Sequence, residues 1–242
     1  MANQQSTFSV AIRATKALFS NLGVAVPIAT VMGALIASID LVIFNHFQIP
    51  MTAGAAANQT GFIKVMLSWE AVRLLAEVFL GPIVVAMTIY TARTHTHGGK
   101  ATLYKAFNFA LARYSRIFKW HAITWLAINI GMSFCFVGIL FLLQYAFVDS
   151  ILCLEDEKWP LARSAKLTRG RRGRIFALAA PLILVQSVIS IADLMVLGWA
   201  EPLFFLAGLK TVLFMANIWL FMAFYMFYED RTKTKTGKSD SA

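Results

Sequence analysis

The sequence predicts an all-α membrane protein: six transmembrane helices paired as three hairpins, each hairpin preceded by a basic amphipathic interfacial helix, with the N and C termini cytoplasmic. Three observations carry this. Hydrophobic residues make up 59% of the chain and charged ones 14%, with a mean hydropathy of +0.67, against a soluble average of about 45–50% apolar and 25% charged. The stretch between Trp120 and Glu155 holds one charged side chain, Asp149; it is too long for a single crossing of about 20 residues and long enough for two short ones. Lys and Arg border that stretch on both sides, so both of its ends belong in the cytoplasm and the chain must turn round within the lipid.

The crossings fall at Leu22–Phe44, Val72–Thr91, Trp120–Ser133, Phe136–Leu154, Ile175–Trp199 and Leu203–Tyr228. With this layout, all of the 22 Lys and Arg except Lys64, Arg73 and Lys210 lie on one side, an uninterrupted positive-inside bias. Residues 1–230 then form a single six-helix domain and residues 231–242 a polar, mobile cytoplasmic tail. The first apolar run exceeds the 7–15 residues of a signal-peptide core and reads as a retained helix. Within it Ala25, Ala29, Gly33 and Ala37 recur every fourth residue, a smooth stripe for close helix packing. Cys135 and Cys153 sit about 27 Å apart along the fourth crossing, out of disulfide reach.

Each hairpin follows an amphipathic basic segment. Phe8, Ile12, Thr15 and Phe19 share one face, with Arg13 and Lys16 off it; Leu103, Phe107, Ala110, Leu111, Tyr114 and Phe118 share another; Leu161, Ala165 and Thr168 lie opposite Arg163 and Lys166. Such helices lie along a membrane surface. An echo of Arg113, Arg116, Ile117 and Phe118 recurs 58 residues later as Arg171, Arg174, Ile175 and Phe176, pointing to three copies of one plan. In the third copy Pro160 suits the first turn of the helix and Gly170 its end. Glu155, Asp156 and Glu157 read as a negative charge at its N-terminus rather than a cation site, because consecutive helical residues do not converge on one ion.

The segment FVDSILCLEDEKWPLARSAKLTRGRRGRIF, Phe147 to Phe176, resembles the signature of the bacterial membrane domain that accompanies some glycerophosphoryl diester phosphodiesterases, and of related stand-alone multi-pass proteins. The matching positions are Glu155, Ala162, Arg163, Ser164, Leu167, Thr168, Gly170 and Phe176. In that family the phosphodiesterase chemistry sits in a separate soluble barrel, so the resemblance implies a bacterial inner-membrane protein without that activity.

No residue set announces catalysis, a cofactor or a metal. His95 and His97 in THTHGGK are two ligands where a zinc site needs three or four, and Gly98, Gly99 and Lys100 lack the spacing of a phosphate loop. His121 sits at the inner interface and reads as a packed residue. The run from Arg169 to Arg174 lies beside a crossing and reads as a contact with anionic lipid, not with nucleic acid. The expected role is non-catalytic: an accessory or scaffold subunit of a membrane assembly, or an organiser of anionic lipid, with Arg163, Lys166, Arg171, Arg172 and Arg174 touching headgroups. The alternative is a transporter of a small solute or lipid using Asp40, Arg73, Glu77, Asp193 and Lys210, which fall in the outer half of the membrane. Ionised groups at such depth are costly and mark functional sites by default. Asp193 and Lys210, equidistant from the Glu201–Pro202 turn, are expected to pair, as are Arg73 and Glu77, four apart on one helix. Pro27, Pro82 and Pro181 inside helices favour this alternative by freeing backbone carbonyls.

Overall fold

In a bilayer, lipid is as apolar as leucine, so which helix faces touch is decided by how closely two backbones can approach. The computed structural model describes residues 6–47, 59–133, 137–196 and 202–239, and these are helical throughout apart from short turns. The helices are α1 (Thr7–Ser20), α2 (Leu22–Phe47), α3 (Gln59–Thr96), α4 (Leu103–Ser133), α5 (Val137–Tyr145), α6 (Val148–Leu154), α7 (Pro160–Thr168), α8 (Arg172–Val196) and α9 (Pro202–Ser239). Among the described residues five segments are long and apolar enough to cross a membrane: Leu22–Ile43, Leu74–Thr96, Val137–Leu154, Arg172–Ala192 and Leu203–Thr232. This is the pattern of a multi-pass membrane protein. The expected crossing Trp120–Ser133 is not a separate helix; it is the end of α4, continuous with the basic amphipathic segment before it.

The small-residue stripe of α2 lies where its spacing predicts. Ala25, Ala29 and Ala37 are buried, and a Cβ on Gly33 would sit 2.6 Å from the backbone nitrogen of Thr211 on α9. Likewise a Cβ on Gly131 of α4 would lie 2.7 Å from the nitrogen of Gly138 on α5. Helix α9 is the hub, touching α1, α2, α3, α6 and α8, and every residue from Met222 to Glu229 is buried. The polar segment after Arg231, expected as a tail, continues α9 as helix to Ser239.

The apolar residues of α1 and α4 divide between contacts with the protein and the perimeter. On α1 the buried residues are Val10, Ala14, Ala17 and Leu18, while Phe8, Ile12 and Phe19 are exposed. On α4, Ala106 and Ala110 are buried, and Leu103, Phe107 and Leu111 are exposed. The alanine faces dock on neighbouring helices because they permit close approach, leaving the large apolar side chains on the perimeter. The echoed positions Ile117 and Ile175 are both fully buried.

Helix α7 starts with Pro160 in its first turn and is followed by Gly170 at φ +76°, a left-handed turn that favours glycine. Its inward face carries Ser164, Leu167 and Thr168, so Thr168 points into the protein but Leu161 and Ala165 only partly do. The acids before it do not sit in its first turn. Glu157 accepts a hydrogen bond from the Trp159 backbone N–H at 3.2 Å, whereas Glu155 and Asp156 bind arginines.

Candidate functional site: a cavity inside the bundle

Pairing of α5 with α6 is interrupted at Ala146 and Phe147, with no Pro or Gly to cause it. Helix α7 supports the break. The Ser164 hydroxyl donates to the Gln144 carbonyl at 3.0 Å and accepts from the Phe147 N–H at 3.2 Å, and the Thr168 hydroxyl donates to the same carbonyl at 3.3 Å. Backbone groups freed inside a membrane must find such partners. The break redirects the chain so that Asp149, in the first turn of α6, enters the bundle.

There it meets His121 of α4, whose Nδ1 lies 3.0 Å from Asp149 Oδ1. His121 is buried, and its Nε2 edge lies against α3 so tightly that a Cβ on Gly81 would be 2.6 Å away. The imidazole stacks on Trp125 with 6.1 Å between centroids, and the Trp125 indole N–H donates to Glu77 Oε2 at 3.2 Å. On another wall Lys210 of α9 pairs with Asp40 of α2, Nζ to Oδ2 3.0 Å, both essentially inaccessible. Glu77, His121, Trp125, Asp149 and Lys210 all line one cavity of about 340 Å³ bounded by α2, α3, α4, α5, α6, α8 and α9. Its volume is that of a small-molecule site, and its walls match one too: mainly apolar with a few convergent polar groups.

Beyond the cavity, the basic end of the bundle is tied by ion pairs. Glu155 accepts from Arg163 Nε at 3.2 Å and Nη2 at 3.3 Å, and from the Tyr228 hydroxyl at 2.5 Å. Arg116 binds the Asp156 carboxylate and the Glu155 carbonyl, Arg113 Nε donates to the Cys153 carbonyl at 3.0 Å, and Arg13 makes a two-point pair with Asp230 at 3.1 and 2.5 Å. The hydrogen bond to Glu155 holds the Arg163 guanidinium more firmly protonated than usual. Arg171 moves the other way, chiefly because it is partly buried and then because Arg231 and Arg174 lie near.

No family model, curated protein or solved structure matches the chain.

The residues expected at the site are only partly brought together. Lys210 is a buried ion-pair residue whose described partner is Asp40; the side chain of Asp193, its expected partner, lies outside the described residues. Close packing of α2 on α9 at Gly33 and Thr211 is what delivers Asp40 to Lys210. The Arg73 side chain also lies outside them, and Glu77 receives Trp125. Of the five arginines and lysines expected at headgroups, Lys166 and Arg172 are exposed, Arg171 and Arg174 are half-buried, and Arg163 is held by Glu155. His121 and Asp149 are the pair that sequence reasoning missed. Asp149 stands out as the lone charge in its run, but no spacing rule links it to a histidine 28 positions away. Cys153 is a buried free thiol, and Cys135 lies outside the described residues. Among the described residues no group of three or more His, Cys, Asp or Glu could hold a metal ion.

Proposed function

We propose that this chain is a bacterial inner-membrane protein with six crossings in three hairpins and cytoplasmic termini, and that it transports a small solute or lipid bound in the central cavity. The observation that carries the reading is the convergence of ionisable side chains from α3, α4, α6 and α9 on one cavity, among helices long and apolar enough to cross a membrane. A charge near the bilayer centre costs at least about 2.5 kcal/mol, and ion pairing alone offsets that cost without enclosing a space. The close approach of Gly131 on α4 and Gly138 on α5 supports the pairing of the third and fourth crossings as a hairpin, and the resemblance over Phe147–Phe176 supports the bacterial assignment.

The accessory or lipid-organising reading keeps one specific support, the exposure of Lys166 and Arg172 beside the apolar surface of the bundle. Transport is favoured because Arg163, the first residue of the basic segment, is engaged by Glu155.

The test is to release the protein from its membrane in mild detergent and identify what stays bound by native mass spectrometry. Wild type is expected to retain a small molecule or lipid in near one-to-one amount, and Ile183→Trp or Leu142→Trp, which fill the cavity, to lose it while melting normally. Equal retention by the filled variants would remove the cavity from the function.

A further inference from the structure

We propose that the cavity takes an amphipathic organic cation and exchanges it for a proton held between His121 and Asp149. This rests on the reading of the cavity as a ligand site, and gives that ligand a chemical class.

The first support is a hydroxyl left without a partner. Thr124, one turn from His121 on α4, is 9% exposed and lines the cavity, and its Oγ1 is buried with no hydrogen bond. Such a group is satisfied when something with a polar end occupies the space. Charge sets the sign of that occupant. The cavity wall carries the carboxylates of Glu77 and Asp149, and the cation Lys210 is already matched by Asp40 at 3.0 Å. Among the described residues α8 adds Gln186 and Ser190 and α5 adds Tyr145; the Asp193 side chain of α8 lies outside them. Glu77 is engaged by the Trp125 indole N–H at 3.2 Å, and Asp149, beside His121, is the carboxylate on which the proposal rests. The rest of the lining includes Trp125, Phe214, Phe221 and Phe224, whose ring faces attract cations and whose bulk receives an apolar body.

The proton enters through geometry. With His121 protonated, the 3.0 Å pair with Asp149 is an imidazolium against a carboxylate and is neutral overall. A cation arriving beside Asp149 favours loss of that proton: an imidazole N–H bond breaks, the proton leaves to water, and the pair becomes a net anion facing the ligand. One cation enters for one proton released. By linkage, each species weakens the other equally. Histidine is the side chain whose charge changes between about pH 5 and 8.

The test uses the purified full-length protein in detergent with two probes of matched shape and opposite charge, tetraphenylphosphonium and tetraphenylborate. The phosphonium is expected to bind saturably, roughly ten-fold tighter at about pH 8 than at about pH 5.5, and the borate no better than to Ile183→Trp. Asp149→Asn should weaken phosphonium binding and abolish its pH dependence, and His121→Asn should flatten the pH dependence. Borate binding as tight as phosphonium, or a pH-independent phosphonium affinity in wild type, overturns the proposal without needing any variant to fold. If the phosphonium fails while the native ligand is still lost from Ile183→Trp, the cation class is wrong and the cavity reading stands.

Discussion

Lys210 Nζ lies 3.0 Å from Asp40 Oδ2, with 1% and 2% of the two side chains exposed, and the pair joins α9 to α2 next to Thr211, whose backbone meets Gly33. Removing one partner leaves the other charge buried, a cost of about 3–5 kcal/mol, whereas replacing both with apolar groups can be neutral. Asp40→Leu and Lys210→Met are each expected to lower the melting temperature in detergent sharply, and the double variant to recover most of the loss. Equal and additive losses would show that the two groups are stabilised separately.

The glycines of α2 separate close approach from helix propensity. At Gly33 a Cβ would be 2.6 Å from the Thr211 nitrogen and 2.6 Å from its Oγ1, while at Gly23 nothing lies within 4 Å. Gly33→Ala is expected to destabilise by about 1–3 kcal/mol through overpacking, and Gly23→Ala to be neutral or to gain up to about 1 kcal/mol from better helix propensity. Reversible unfolding in mixed micelles measures both on one scale.

Ser164 serves two backbone groups at the α5–α6 break, the Gln144 carbonyl and the Phe147 N–H. Ser164→Ala leaves the Phe147 N–H without its described partner and is expected to cost about 1–3 kcal/mol. Thr168→Val should cost less, since Gln144 keeps Ser164. Amide exchange at Phe147 should accelerate in Ser164→Ala and hardly change in Thr168→Val.

The number of crossings decides whether the ends of the chain share a side. Six crossings put both in the cytoplasm; if α4 does not cross at Trp120–Ser133, five do the opposite. In a background lacking Cys135 and Cys153, Ser6→Cys and Ser239→Cys are both expected to resist a thiol reagent that does not permeate the inner membrane, with Ala55→Cys labelled as the control. Labelling of one terminus alone would leave five crossings.

Sequence reading reached different depths for different features, for physical reasons. Crossings are legible because a span needs about 20 apolar residues whatever it packs against, and α2, α8 and α9 begin within a few residues of the expected starts. The Ala and Gly stripe of α2 is legible because close approach requires small residues. Which residues of α1 and α4 dock on other helices is not, because large apolar residues such as Phe8 and Phe107 are as well satisfied by lipid as by protein, and the buried alanines beside them mark the contact. The cavity is the least legible part. His121 reaches Asp149 only because the chain breaks at Ala146 and Phe147, where no Pro or Gly announces a break and where the supporting hydroxyls come from α7, about 20 positions on.

The basic residues of α7 and its surroundings should divide into two classes that a single measurement can separate. Arg163 is joined to Glu155 by two hydrogen bonds, and Glu155 also holds Tyr228 of α9, so Arg163 fastens α7 over the helix break. Lys166 and Arg172 are exposed and available to anionic headgroups, each such contact contributing about 1 kcal/mol near a charged surface. Melting is therefore to be followed with and without added phosphatidylglycerol. Arg163→Gln is expected to melt lower in both conditions with the lipid-dependent gain unchanged. The double change Lys166→Gln and Arg172→Gln should leave the lipid-free melting temperature alone and shrink the gain. If Arg163→Gln is the variant that loses the lipid gain, the guanidinium turns outward in the membrane, and the Glu155 clamp is not what holds α7 in place.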